Sequence, residues 1–276
     1  MADRPDSPHC HRRGSGPPVL LIQGAAAGRL HWGERFLAEL SGRCDVIAYD
    51  PAGIGGSAGC QPRITMAELA EDAVRLLDEV GWPSCTVVGV SAGGVVAQEL
   101  ALNAPDRVAR LVLGGSNAGG ASASARTIAA DARLAAAVVP GDRATTSSNL
   151  FRLAVKDPER ASGQAWAEYL AAEQAVRTDP AMVLAQVEAH SRHSTLSRLP
   201  SLQVPTLVIH GDDDRVIDLE DAVILARTIP NAQLRVLSAG HFFWLELPQH
   251  TADLIADWCE SPEAYLHSGG DGASQR

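Results

Sequence analysis

Two patterns of hydrophobic and polar positions alternate along the chain. Short runs that are apolar throughout, such as "CTVVGV" at 85–90, are typical of strands buried on both faces. Longer stretches between them carry apolar residues at helical spacing, as in "ITMAELAEDAVRLLDEVG" at 64–81, where Thr65 and Glu68 form a capping box and Gly81 suits the C-terminus. These patterns predict strands at 18–24, 44–50, 85–90, 108–116, 205–211 and 232–238, and helices at 29–42, 64–81, 92–103, 219–229 and 248–260.

Apolar strands separated by helices predict the α/β class, with a mostly parallel central sheet and helices on both faces. The alternation stops at 117–200, an Ala-rich stretch that predicts several helices, two of them starting after Asp157-Pro158 and Asp179-Pro180. We interpret 117–200 as a helical cap insertion in a core made of 1–116 and 201–261. Residues 262–276 are polar and Gly-rich, and we expect a disordered tail there.

A candidate nucleophile lies in "TVVGVSAGGVVAQELAL" at 86–102, where a predicted strand ends in a serine between glycines and a helix begins at once. Residues 89–93 match G-x-S-x-G. A strand-to-helix corner with serine at its apex is strained, and side chains at 89 and 93 would collide with neighbouring backbone. The corner places the Ser91 hydroxyl at a helix N-terminus, which favours developing negative charge. The alternative is an ordinary Gly/Ser turn.

A serine hydroxyl needs a base, and the base needs an acid that holds its tautomer. Of nine histidines, His241 is favoured as the base, since "SAGHFFWLELP" follows the last predicted strand and returns to the sheet edge where Ser91 lies. The acid is sought in "HGDDDRVIDLE", directly after strand 205–211. Asp214 is favoured there, while Asp212 and Asp213 are interpreted as turn formers. The chain order Ser91, Asp214, His241 is that of the α/β-hydrolase triad.

The segments "LLIQGAAAG", "YDPAGIGGS", "GVSAGGVVAQEL", "VPTLVIHGDDDRVI" and "AGHFFWLELP" carry a family resemblance. From about residue 17 to 260, the chain resembles small soluble α/β-hydrolases: serine esterases, enol-lactone hydrolases and cofactor-free haloperoxidase-like enzymes. The resemblance implies that the backbone N–H groups of Ala25 and Ala92 form the oxyanion hole, with Ala26 the next candidate after Ala25.

The chain also departs from this family. Gln23 stands where many relatives have His, and Ala52 stands where many have the Arg of "DxRGxGxS". The short N-terminus leads us to expect that one of the family's two early edge strands is absent.

The resemblance implies an enzyme that hydrolyses a small-molecule carboxylic ester or lactone through an acyl-enzyme. A non-hydrolytic receptor, a lyase-type protein and a C–C bond hydrolase on the same fold stay open as alternatives. A dinucleotide-binding fold is disfavoured, because Ala26 and Leu30 occupy positions where its glycine motifs need Gly.

The composition of the chain limits the classes of ligand and partner that we expect the protein to bind. A formal net charge of −10 disfavours nucleic-acid binding. Five widely spaced cysteines without CxxC indicate reduced thiols, and the N-terminus has no apolar signal region, so we expect a cytoplasmic protein that does not bind membranes. We expect no cofactor and no metal site, because His9-Cys10-His11 lacks other obvious ligands and the pair His190 and His193 is more typical of solvated or packed histidines. The oligomeric state is not predicted.

Overall fold

One central sheet organises the fold. The computed structural model describes residues 7–61, 63–159, 163–178 and 180–261. Seven strands lie in the order β1-β3-β2-β4-β5-β6-β7, and all neighbours pair in parallel except β1 with β3. The strands are β1 (Cys10–Gly14), β2 (Pro18–Ile22), β3 (Asp45–Tyr49), β4 (Cys85–Val90), β5 (Val108–Gly114), β6 (Thr206–Gly211) and β7 (Ala232–Leu237). The predicted α/β class is confirmed, and in the described residues a single strand precedes β2 in the chain.

Helices connect these strands. Six of them accompany the sheet: α1 (Glu34–Ser41), α2 (Met66–Val80), α3 (Ala92–Asn103), α8 (Leu219–Thr228), α9 (Phe243–Glu246) and α10 (Pro248–Glu260). Four others lie between β5 and β6 in the chain: α4 (Ala125–Ala137), α5 (Arg143–Ala154), α6 (Gly163–Ala175) and α7 (Pro180–Arg192).

Local sequence signals account for both ends of α2. Thr65 caps α2 by accepting the Glu68 N–H at 3.1 Å, and Gly81 ends the helix with a left-handed φ of 73°. The predicted helix 29–42 is divided, because Gly33 at φ 76° separates a 3₁₀ turn, Arg29–Trp32, from α1.

The start predicted after Asp157-Pro158 is wrong. Asp157 Oδ1 accepts the Glu159 N–H at 3.2 Å and closes a local turn at 157–159, and the described part of the next helix runs from Gly163. Pro180 does open α7, as predicted. Asp179 and the tail 262–276 fall outside the described residues.

The sheet separates two apolar clusters, which explains why its strands are apolar at successive positions. Leu20 of β2 packs on the side of α2 and α3, whereas its neighbour Leu21 packs on the side of α1 and α10. Both side chains are fully buried. A parallel strand covered on both faces therefore cannot show the polar alternation of a half-exposed strand.

The helices between β5 and β6 contact segments that follow the strands. Gln186 of α7 donates to the Ala52 carbonyl at 3.2 Å, and Glu168 of α6 pairs with Arg35 at 3.2 Å. Lys156, just after α5, pairs with Asp212 at 2.8 Å. These contacts place the insertion over the carboxyl edge of the sheet. The division into core and cap domains stays a prediction. In the described part of the chain, no helix is both long and apolar enough to cross a membrane.

Candidate active site

Ser91 occupies the corner between β4 and α3. Its backbone has φ 54° and ψ −128°, a region that L-residues rarely adopt. The corner leaves no space for larger neighbours, because a Cβ on Gly93 would lie 2.3 Å from the Gln23 carbonyl oxygen and one on Gly89 would lie 2.3 Å from the Gly93 oxygen. Two hydrogen bonds tie the corner to the end of β5: Ser91 N–H donates to Gly114 O at 2.9 Å, and Ser116 Oγ donates to Ser91 O at 2.7 Å. The strain inferred from G-x-S-x-G is therefore present in the backbone.

His241 and Asp214 form a buried pair. His241 Nδ1 lies 2.7 Å from Asp214 Oδ2, and the side chains of these two residues are 5% and 0% exposed. The second carboxylate oxygen, Oδ1, accepts the N–H groups of Val216 and Ile217, each at 2.8 Å. The turn after β6 therefore fixes the carboxylate, and the carboxylate in turn orients the imidazole.

Asp214 is held as a carboxylate despite its burial. Burial alone would raise its pKa, but the His241 charge and hydrogen bond, assisted by His210 and the Ile217 N–H, lower the pKa below its ordinary value. His210 lies 3.6 Å from Asp214 Oδ2 and hydrogen-bonds through Nε2 to the Ile217 carbonyl at 3.0 Å. Burial lowers the pKa of His210 below its ordinary value, against the opposing effect of the Asp214 carboxylate. Through its bond to the Ile217 carbonyl, His210 supports the turn that carries Asp214.

Ser91 and the His241–Asp214 pair both lie next to the end of β5. Gly114 accepts the Ser91 N–H, while a Cβ on the next residue, Gly115, would lie 3.2 Å from His241 Nδ1 and 3.3 Å from Asp214 Oδ2. Within the described residues, Ser91 Oγ makes no hydrogen bond to the His241 ring. Such a bond is often long in an enzyme without substrate and tightens when substrate binds.

Two backbone donors lie beside Ser91. Ala92 begins α3, and Ala25 follows Gly24, at which a Cβ would lie 3.0 Å from Ser91 Cβ. Neither the Ala25 N–H nor the Ala92 N–H has a hydrogen-bond acceptor among the described residues. Ala26 completes the turn with φ 63°. The two predicted donors are therefore unpaired and close to the serine.

Ala25 and Ala92 also share the wall of a small pocket, which lies between β2, β3, α2 and α3. Its other walls are mainly apolar, with two amide side chains among them. The lining residues are Ile22, Gln23, Gly24, Ala25, Tyr49, Pro51, Met66, Leu69, Ala92, Gly93, Val96 and Gln186.

Gln23 differs from its surroundings. Its Oε1 accepts the Gly24 N–H at 3.1 Å, which fixes the orientation of the amide, and its Nε2 is buried without a hydrogen-bond partner. The residue in the place of the family's common His thus presents an unpaired donor next to the predicted oxyanion loop.

Sequence reasoning missed the groups that hold these residues in place. Glu246 accepts the Gly240 N–H at 2.7 Å and the Lys156 N–H at 3.0 Å, and so joins the loop of His241 to the end of α5. Burial raises the pKa of Glu246. The only available signal was the acidic residue in "HFFWLELP", and nothing in the sequence indicates which distant N–H groups it meets.

No group of three or more His, Cys, Asp or Glu side chains in the described ranges is arranged to hold a metal ion. His190, considered with His193 as a possible ligand pair, instead hydrogen-bonds through Nε2 to Asn117 Oδ1 at 3.1 Å. His193 pairs with Glu99, and their atoms are 2.5 Å apart.

Comparison with known proteins establishes the family. The model of the alpha/beta hydrolase fold family matches residues 17–248, and the chain belongs to this family. The protein is a hydrolase of this fold.

Three proteins of known name are similar to this chain over most of its length. A poly(3-hydroxyalkanoate) depolymerase of Ectopseudomonas oleovorans is 31% identical over 98% of this chain and 93% of its own length. A 2-hydroxymuconate semialdehyde hydrolase of Pseudomonas putida is 33% identical, covering 94% and 92% of the two chains. The solved structure of a thermophilic esterase from Thermogutta terrifontis superposes with a TM-score of 0.76 at 26% identity and covers 95% and 94% of the two chains.

Proposed function

We propose that the protein is a serine hydrolase that cleaves a small-molecule carboxylic ester or lactone through an acyl-enzyme intermediate. The observation that carries this proposal is the buried His241–Asp214 pair, 2.7 Å apart, beside the strained corner of Ser91. A carboxylate on Nδ1 leaves Nε2 of the imidazole free to accept a proton, which is the tautomer that a general base needs.

In the proposed reaction, His241 accepts the Ser91 proton as the hydroxyl oxygen attacks the carbonyl carbon. The tetrahedral oxyanion accepts hydrogen bonds from the backbone N–H groups of Ala25 and Ala92, and Asp214 stabilises the imidazolium. The imidazolium then protonates the leaving alcohol, and the neutral ring activates water for hydrolysis of the acyl-enzyme.

The substrate class is proposed from the site and from the relatives. The small pocket beside Ala25 and Ala92 is lined mainly by apolar side chains, so an apolar group of the substrate is favoured there over a charged one. One relative is named for a poly(3-hydroxyalkanoate), which is chemically a polyester, and another is an esterase. A substrate panel should therefore include short p-nitrophenyl esters, lactones and oligomeric 3-hydroxyacyl esters.

The Ser91→Ala variant tests the proposal. We expect a loss of p-nitrophenyl butyrate hydrolysis of up to ~10⁶-fold, because the nucleophile and its proton transfer are both removed. A fluorophosphonate should add its mass to the wild type at Ser91 and not to this variant. Ser201→Ala, at an exposed serine, is the matched control and should keep wild-type turnover. Turnover near the wild-type value in Ser91→Ala would refute the assignment, and labelling without turnover of any ester or lactone would favour a receptor.

A further inference from the structure

His31 links the predicted oxyanion loop to the helical insertion. It lies in the 3₁₀ turn that follows the loop at 24–28, and it is 7% exposed. Its Nδ1 accepts the Gly28 N–H at 3.1 Å, and its Nε2 lies 3.1 Å from Glu173 Oε1 on α6. One ring therefore contacts both a loop of the core and a helix of the insertion.

The two contacts fix one tautomer of the ring. A neutral imidazole has one N–H donor and one acceptor nitrogen. Since Nδ1 accepts from Gly28, the proton resides on Nε2 and is donated to Glu173. If the proton moved to Nδ1, two N–H groups would face each other and the hydrogen bond to the loop would be lost.

Glu173 is itself held as a carboxylate. Burial favours its neutral form, but the hydrogen bond from His31, the Ser147 hydroxyl at 3.2 Å from Oε2, and the Arg143 charge together lower its pKa. Arg143 also donates to the Glu173 and Val176 carbonyls, which fixes the end of α6. The acceptor for Nε2 is thus supplied by α6 and held by α5.

The loop has few other attachments at its centre. Ala26 is in a left-handed conformation, and the Ala27 N–H reaches Gly24 O only at 3.3 Å. Asp50 holds the far end through the Arg29 N–H at 2.8 Å. The Gly24 N–H donates to Gln23 Oε1 at 3.1 Å, and the His31 N–H donates to the Gly28 carbonyl at 3.0 Å. The bond from the Gly28 N–H to the His31 ring is therefore one of a small number of constraints on the segment that carries the Ala25 N–H.

We propose that Glu173 is a positioning residue: by accepting the Nε2 proton of His31 it fixes the tautomer whose Nδ1 holds Gly28, and so holds the Ala25 N–H in place. This inference rests on the proposed serine hydrolase function. It makes the rate of hydrolysis depend on the contact between Glu173 and His31, because this contact gives the oxyanion loop its full set of hydrogen bonds.

The central test compares two acidic residues of the same helix. Glu173→Ala should lower kcat by ~3–10-fold, the range that corresponds to one net hydrogen bond, with little change in KM. Glu168→Ala removes a carboxylate of α6 that pairs with Arg35 and has no hydrogen bond to the loop, and it should leave kcat within about twofold of wild type. Glu173→Gln keeps an acceptor for Nε2 and should recover most of the lost rate.

A double-mutant cycle distinguishes an effect on the His31 tautomer from a general loosening of the structure around α6. Asn in His31→Asn offers Oδ1 to the Gly28 N–H and has no tautomers, so adding Glu173→Ala to it should lower kcat no further. His31→Ala should lose at least as much kcat as Glu173→Ala. If Glu173→Ala does not fold, the comparison of His31→Ala with His31→Asn tests the same hydrogen bond from the other end.

Hydrogen exchange of the peptide that spans Gly28 gives a readout independent of activity. Exchange should accelerate in Glu173→Ala and His31→Ala but not in Glu168→Ala. Unchanged exchange in Glu173→Ala, or an equal loss of kcat in the Glu173 and Glu168 variants, would overturn the inference. Failure of the wild type to hydrolyse any ester would instead refute the proposed function. The exchange measurement would still test whether the Glu173–His31 contact holds the Gly28 N–H.

Discussion

Replacing Asp214 by Asn tests the acid–base pair at its most specific point. Oδ1 of Asp214 accepts two backbone N–H groups at 2.8 Å, so the amide oxygen of an Asn must take that place. The amide NH₂ is then forced into the position of Oδ2, 2.7 Å from His241 Nδ1. Two donors cannot face each other there, and Nδ1 must become an acceptor.

The consequence is a change of tautomer without a change of shape. The His241 proton moves to Nε2, where it blocks acceptance of the Ser91 proton. By analogy with a related triad, kcat should fall by ~10⁴-fold, which is about 5 kcal/mol of transition-state stabilisation. Asp214→Ala is a poorer probe, because it also leaves the N–H groups of Val216 and Ile217 without their acceptor.

The assay is steady-state hydrolysis of p-nitrophenyl butyrate, with thermal unfolding of each variant measured in parallel. Asp213→Asn is the matched control, since Asp213 pairs with Arg215 at 2.6 Å on a partly exposed surface and should keep kcat within about twofold. A folded Asp214→Asn variant whose kcat stays within about tenfold of wild type would show that Asp214 does not set the tautomer.

Two further predictions concern stability. Gly93→Ala should destabilise the protein by about 1–3 kcal/mol or more, since its Cβ would lie 2.3 Å from Gln23 O, whereas Gly59→Ala, with no atom within 4 Å of its Cβ, should be almost neutral in urea unfolding. His190 has its pKa lowered by burial from 6.5 to about 4, so the unfolded chain binds its proton at higher pH than the folded one. The free energy of unfolding should therefore fall as pH drops through this interval, by at most about 3 kcal/mol. His190→Gln should reduce the difference between unfolding curves near pH 7 and near pH 5, and an unchanged difference would contradict the assigned burial effect.

Several features of the fold could be predicted because they depend on a few neighbouring residues. The capping box of Thr65 and Glu68 and the apolar strands specify elements whose ends agree with the structure to within about two residues. The need for Gly89 is equally local, because a Cβ there would lie 2.3 Å from the Gly93 oxygen. The need for Gly93 is not local, because its Cβ would collide with the carbonyls of Ile22 and Gln23 at the end of β2.

The candidate site was predicted only in part. The order of Ser91, Asp214 and His241 along the chain indicated that the three would meet, and the structure joins the latter two by a hydrogen bond. Three consecutive aspartates could not be distinguished by composition. What singles out Asp214 is the pair of N–H groups from Val216 and Ile217, which appears only when the turn closes.

The sequence by itself determined the period of the elements, the turn motif around Ser91 and the residue types available for chemistry, since these follow from side-chain pattern, sterics and hydrogen bonding over short distances in the chain. The tertiary structure alone decided which carboxylate meets His31, that Gln23 Nε2 is left without a partner, and how the insertion lies on the loops of the core. His31 and Glu173 are 142 residues apart, and their contact depends on the packing of α6 against the core. No periodicity encodes such a pairing, because it results from the relative placement of whole elements.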